Sequence, residues 1–333
     1  MNPHDPGPAA ARARADALLP ADPRPIDMGD GAAVSIGTAG WTDPTLIAPG
    51  VFYPPHATSA EDRLRYYAEL FPLVEVDSSY YALPSRRSAE LWVERTPPGF
   101  TINLKANALM TGQPSEVSRL PKDIREALPD DLRRRARIYG RDLPAELYDA
   151  VWERFCQALE PLHAAGKLGA VLLQYPRWFV PSRESAAELV DARRRLGEFG
   201  AAVEFRNHRW LTGRVRMRTL EFLREHDLPH VMVDGPAGLE SSVPREAAVT
   251  SPRLAVLRWH GRRAETWETP NVSVAERFRY LYDREELSEW LEGIAGVARE
   301  VKRLHVIHNN CYANYGTTNA LELMGLLRDY AAA

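Results

Sequence analysis

Glu204 and Arg206 stand two residues apart in the run Val203-Glu204-Phe205-Arg206-Asn207-His208-Arg209-Trp210. Strand side chains alternate between faces, so this acid and base point one way while Val203 and Phe205 point the other. A carboxylate and a guanidinium on one face of an apolar strand require a wet or paired environment. Other apolar runs end the same way. One brings Glu75 and Asp77, another Asn103 and Lys105, and others Gln174 and Asp234. Arg258 and His260 share a face while Trp259 turns outward. The last run ends His308-Asn309-Asn310, where alternation does not decide which side chains point in.

These residue types suit acid/base work on an anion. Lys105, Arg206 and Arg258 form a clamp for phosphate or carboxylate, since guanidinium forks match those groups. Glu204 is the natural general acid or base, with His260 as second proton carrier. Glu75, Gln174, Asn309, Asn310 and Trp210 complete the expected binding rim. A Schiff-base role for Lys105 needs desolvation that the nearby carboxylates oppose. No cofactor is expected, because the chain has no HExxH, CxxC, GxGxxG or GxxxxGK[ST]. The alternative is a divalent metal on Glu204, Asp234 and His260, which the flanking arginines disfavour. Each residue alone also fits a structural role: an ion pair for Glu204 with Arg206 or for Arg258, a snorkelling Lys105, a satisfied His260, a networked Glu75. Their convergence on one rim favours a functional pocket, because burying so many charges for stability alone is costly.

The elements that must position them alternate regularly. Apolar runs over 34–37, 73–77, 100–105, 170–174, 201–206, 230–234, 254–260 and 304–308 read as strands. Helical periodicity falls over 60–70, 85–95, 145–165, 182–196, 216–226, 284–303 and 318–330, with Ser59, Ser85 and Ser182 as N-terminal caps. Residues 235–252 are turn-rich without a helix. Strands separated by helices imply parallel pairing, and eight units point to a closed (β/α)8 TIM barrel with its site at the strands' C-terminal ends. Residues 107–143 form a charged insertion after the third strand. Its run Arg133-Arg134-Arg135-Ala136-Arg137 is diluted by Asp123, Glu126, Asp130, Asp131 and Asp142, which fits a solvated face better than a nucleic-acid contact.

The 333-residue chain is 45% hydrophobic and 26% charged, an ordinary globular composition, with net charge -3. That balance gives no overall attraction to nucleic acid or acidic membranes. Two cysteines, Cys156 and Cys311, are too few for a disulfide framework. No apolar run approaches the ~20 residues of a membrane helix. Residues 1–30, rich in Ala, Pro and Arg without periodicity, read as a flexible tail before a single barrel domain over 31–333. The expected setting is the cytoplasm. The expected partner is a small anionic or sugar-like ligand; a non-catalytic ligand- or nucleic-acid-binding barrel is the alternative.

Several motifs occur in order: Ile36-Gly37-Thr38-Ala39-Gly40-Trp41, Phe52-Tyr53-Pro54, Val74-Glu75-Val76-Asp77-Ser78-Ser79-Tyr80-Tyr81, Gly166-Lys167-Leu168-Gly169 with Gln174-Tyr175-Pro176, Glu204-Phe205-Arg206 with Trp210, Arg258-Trp259-His260-Gly261, and Asn309-Asn310 with Asn319-Ala320. Together they resemble the YecE-like family, also called domain of unknown function seventy-two, over roughly residues 34–330. The resemblance implies a TIM barrel and no established activity. It marks Glu75, Lys105, Glu204, Arg206, Arg258, His260 and Asn310 as site candidates without assigned chemistry. The charged insertion and the N-terminal tail depart from the family's usual pattern.

Overall fold

The computed structural model describes residues 4–29 and 32–333. Its frame is a set of parallel strands: β1 (Ala33–Ala39), β2 (Leu73–Val76), β3 (Thr101–Lys105), β4 (Leu168–Gln174), β5 (Ala201–Glu204), β6 (Val231–Asp234), β7 (Ala255–Trp259) and β8 (Arg303–His308). They pair in the order β5-β4-β3-β2-β1-β8-β7-β6. The parallel bridge between Val203 and His230 joins the two ends and closes the ring. The expected (β/α)8 barrel is therefore the fold. Most strand residues are buried, as expected where helices cover one face and the barrel interior fills the other.

The main helices are α1 (Pro8–Asp16), α2 (Ala60–Ala68), α3 (Arg86–Glu94), α4 (Ala145–Ala164), α5 (Arg183–Leu196), α6 (Gly213–Glu225), α7 (Arg284–Ser288), α8 (Leu291–Ala298) and α9 (Tyr315–Ala332). Ser59, Ser85 and Ser182 each accept a backbone N–H at the start of α2, α3 and α5. Such a cap contributes about 1 kcal/mol. On α4 the spacing of Val151, Phe155, Leu159 and Leu162 turns one apolar stripe into the core. Close approach between β1 and β2 depends on Gly37, where a Cβ would lie 1.8 Å from the Leu73 carbonyl oxygen.

Two expectations need correction. The helix expected over 284–303 is broken into α7 and α8. Trp290 sits at the break with its indole donating to Asp234, and Glu289 is drawn to Arg262 and Arg245. The segment expected to be a structureless tail carries α1, which packs on α9. Ala11 and Ala15 are buried, Thr318 Oγ1 donates to the Ala11 carbonyl at 3.1 Å, and Arg14 forks onto Glu322 at 2.7 Å through both nitrogens. Ile26–Asp27 then pairs antiparallel with β1. Alanine loses no side-chain entropy on ordering, so a short run of small residues can dock without an obvious apolar stripe. Residues 1–3 and 30 of that expected tail lie outside the described residues.

The charged insertion is a cover rather than a basic arm. Its short helices bury Ile124, Leu128 and Leu132 in the main core. Arg119, Arg133, Arg135 and Arg137 each pair with an acid of the same segment. No helix among the described residues is long and apolar enough to cross a membrane.

Candidate functional site

Strand parity brings Glu75, Glu204 and Arg258 to the barrel interior, where all three are fully buried. Arg258 holds both acids: Nη2 donates to Glu75 Oε1 at 2.5 Å, and Nη1 donates to Glu204 Oε2. Glu204 Oε1 faces the other side. It accepts from Gln174 Nε2 at 2.8 Å, lies 2.5 Å from Arg206 Nε, and is 3.2 Å from His260 Nε2. Asn309 Nδ2 lies 2.8 Å from His260 Nδ1, and Arg206 Nη2 lies 3.1 Å from His260 Nε2, so the ring is held from both sides.

The two carboxyls on Arg258 have opposite electrostatics. Burial alone would raise Glu204, but Arg206, Arg258 and His260 outweigh it and hold the carboxyl well below the usual carboxylate range. At Glu75 burial wins over Arg258 and Lys105, Asp77 adds repulsion, and the carboxyl is pushed up to about 7. Its Oε2 is buried without a hydrogen-bond partner. Burial, with Arg206 beside it, lowers His260 to about 3, so the ring is neutral at neutral pH.

Above this network opens a cleft of about 450 Å³. Gln174 and Arg206 line it from the barrel side, and Trp178, Trp267 and Phe278 supply aromatic surface. The Arg206 side chain is 16% exposed while Glu204 and Arg258 are sealed, so Arg206 is the network's window onto the cleft. Its guanidinium lies 5.2 Å from the Trp267 ring centre. Trp178 is 55% exposed at the mouth. A second cavity, of about 310 Å³, opens at the strands' N-terminal ends beside Gly166, Gly200, Arg253 and Arg303, and contains none of the candidates.

Lys105 enters from β3 and is partly exposed. Its ammonium lies 4.7 Å from the centre of the Tyr80 ring, whose hydroxyl donates to Gln113, a residue of the cleft wall. Burial lowers the Lys105 pKa, Asp77 opposes that shift and Arg258 adds to it.

Several expected rim residues lie elsewhere. Asn310 turns outward and bonds the Tyr280 carbonyl and Asn319, fixing α9 to the barrel. Trp210 is buried, stacked on Phe205 and Phe179, with its indole donating to the Phe179 carbonyl. Asp234 also faces out of the barrel, where Tyr282, Trp290 and Arg262 bind it. That placement removes it from the metal set considered with Glu204 and His260. Among the described residues, the His/Cys/Asp/Glu group close enough to share an ion is instead His4, Asp283 and Glu286. The aromatic walls are not recognisable from sequence, because Trp178 lies in a turn and Trp267 and Phe278 stand at the ends of four-residue helices, too short to carry a periodic signal.

Residues 35–333 match the model of a family described as a protein of unknown function, DUF72. The chain belongs to this family. It is the family expected from the ordered motifs. The chain is 30% identical to the UPF0759 protein YunF of Bacillus subtilis over 88% of its own length and 94% of that protein. Among solved structures, it resembles a DUF72 family protein of Thermotoga maritima at 30% identity and TM-score 0.69, covering 88% of this chain and 98% of that one. A DUF72 protein of Enterococcus faecalis shares the fold at 24% identity and TM-score 0.67, covering 88% and 97%.

Proposed function

We propose that this DUF72 protein is an enzyme that binds a small anionic or sugar-like substrate in the cleft and moves a proton with Glu75. The supporting observation is the divergence of two carboxyls on one guanidinium. Paired acids whose environments separate their pKa values provide one ionised anchor and one proton carrier. Glu204 is the anchor, ionised by its cations and holding Arg206, Gln174 and His260 in place. Glu75, near 7 with a free oxygen, suits proton exchange at neutral pH. Arg206 receives the substrate's anionic group, and Trp267 and Phe278 cover its apolar face. The acid/base role assigned to Glu204 from sequence thus moves to Glu75, and His260, held neutral, orients Glu204.

A thermal-shift screen of carboxylated, phosphorylated and sugar metabolites tests this reading. A ligand at a hundredfold excess over its Kd stabilises the native state by about 2.7 kcal/mol. The expected result is a shift that disappears in Arg206→Ala. A full panel without a shift, or a shift unchanged in Arg206→Ala, counts against it.

A further inference from the structure

We propose that Lys105 is an imine-forming nucleophile, so that the substrate is an aldehyde or ketone carrying an acidic group. This rests on the reading of the cleft as an anion-binding enzyme site and adds a covalent step to it.

The first support is the choice of residue. The chain has 42 basic residues, of which only Lys105, Lys122, Lys167 and Lys302 are lysine. Where this protein places a cation inside the barrel to pair buried carboxyls, as at Arg258, it uses arginine. Lys167 shows what a structural lysine looks like here. Its ammonium donates to the Val93 and Thr96 carbonyls and to Thr96 Oγ1, at 2.9, 2.6 and 2.9 Å, using all three donors. Lys105 is different. Among the described residues its nitrogen has no hydrogen bond or ion pair and meets only the face of Tyr80. Guanidinium cannot lose its proton to become a nucleophile, whereas a desolvated amine can.

The second support is the neighbourhood. Glu75, Asp77 and Glu204 favour the ammonium; Arg258 and burial oppose it, and the opposing effects prevail. Glu75 stands in the same group with an unpaired oxygen. The step balances with these residues alone. The neutral Lys105 amine adds to the carbonyl carbon, forming the C–N bond, and a proton passes from nitrogen to oxygen to give a carbinolamine. The Glu75 carboxyl then gives its proton to the departing hydroxyl, which leaves as water. The nitrogen lone pair completes a protonated C=N bond beside the new Glu75 carboxylate. Arg206 would hold the acidic group during this sequence.

Reductive trapping tests the inference on the whole protein. It is incubated at neutral pH with glyoxylate, pyruvate or dihydroxyacetone phosphate, treated with borohydride, and mapped by peptide mass spectrometry. The expected adduct is on Lys105, formed at least about tenfold faster than on exposed Lys122 or Lys302, because a desolvated, unpartnered amine more readily gives up its proton. Lys105→Arg should lose the adduct, and Arg206→Ala should slow it. Because the wild-type map compares lysines within one chain, the result does not depend on a variant folding. Absence of a Lys105 adduct with every probe, or equal labelling of Lys122 and Lys302, overturns the imine. If a probe raises the melting temperature without being trapped, the imine fails while the anion-binding reading stands.

Discussion

Arg258 on β7 spans the barrel to Glu75 on β2, its Nη2 2.5 Å from Glu75 Oε1, with both side chains fully buried. The same guanidinium holds Glu204 through its other terminal nitrogen. One residue therefore links two buried carboxyls: Glu204 also has Arg206 beside it, whereas Arg258 is the hydrogen-bond partner of Glu75.

Removing that residue should be severe. Arg258→Met leaves both acids without their shared partner, and breaking a buried pair in this way costs about 3–5 kcal/mol. Urea unfolding should show a midpoint lowered accordingly. The double variant Arg258→Met with Glu75→Gln should lose less than the sum of the single losses, because the carboxyl left without its partner is removed too. A loss below about 1 kcal/mol for Arg258→Met would show that the network does not hold the barrel mouth.

Stability should fall in mild acid. Burial holds His230 at about 4 and His260, His305 and His308 at about 3. In the unfolded chain these imidazoles protonate near 6.5, so between those values the unfolded state binds more protons and stability drops as pH falls. Each contributes about 1.4 kcal/mol per pH unit below 6.5. Glu75 and Glu188 work in the opposite direction: raised to about 7, they contribute stability at low pH that is lost as pH rises from about 4.5 through 7. Four histidines outweigh two glutamates. Urea midpoints measured from pH 7.5 to 5 should therefore decline, and a flat profile would mean that the histidines titrate normally.

Gly37→Ala should be among the most damaging single substitutions. Its Cβ would meet the Leu73 carbonyl oxygen at 1.8 Å, a backbone atom that cannot rotate away. Overpacking against fixed backbone costs about 3 kcal/mol or more. Gly112→Ala is a useful contrast. Its Cβ would find only Glu188 Oε1, at 3.7 Å, so its cost comes from a φ of +66° and should be smaller, of order 1 kcal/mol. Similar losses for the two variants would contradict the close approach of β1 to β2.

The barrel was legible in the sequence because its signals are local: strand runs, serine caps and the helical period of α4 each declare themselves within a few residues. Parity likewise placed Glu75, Glu204, Arg258 and His260 on one interior, and correctly turned Trp259 outward. Position at a strand end, without a parity assignment, misplaced Asp234 and Asn310, since a polar residue there serves a helix clamp as readily as a cleft. Sequence favours Glu204 over Glu75 for acid/base work. Their different electrostatics lie in which cations sit against each carboxyl, Arg258 and Arg206 at Glu204 but Arg258 alone in hydrogen-bond contact with Glu75, which only the three-dimensional pairing of the strands determines. The cleft walls, Trp267 and Phe278, carry no sequence signal because the helices they end are only four residues long. Docking of α1 was missed because alanine contacts leave little trace in an apolar pattern.

The central claim is that Glu75 holds a proton near neutrality while Glu204, on the same arginine, does not. Infrared titration of the ligand-free protein, compared with Glu75→Gln, measures this directly. Glu188 is also raised to about 7, so the readout is the wild-type minus variant difference: a protonated-carboxyl C=O band is predicted there at pH 6 and is lost around pH 7. A difference spectrum with no such band at pH 6 would contradict the assignment of Glu75 as the proton carrier.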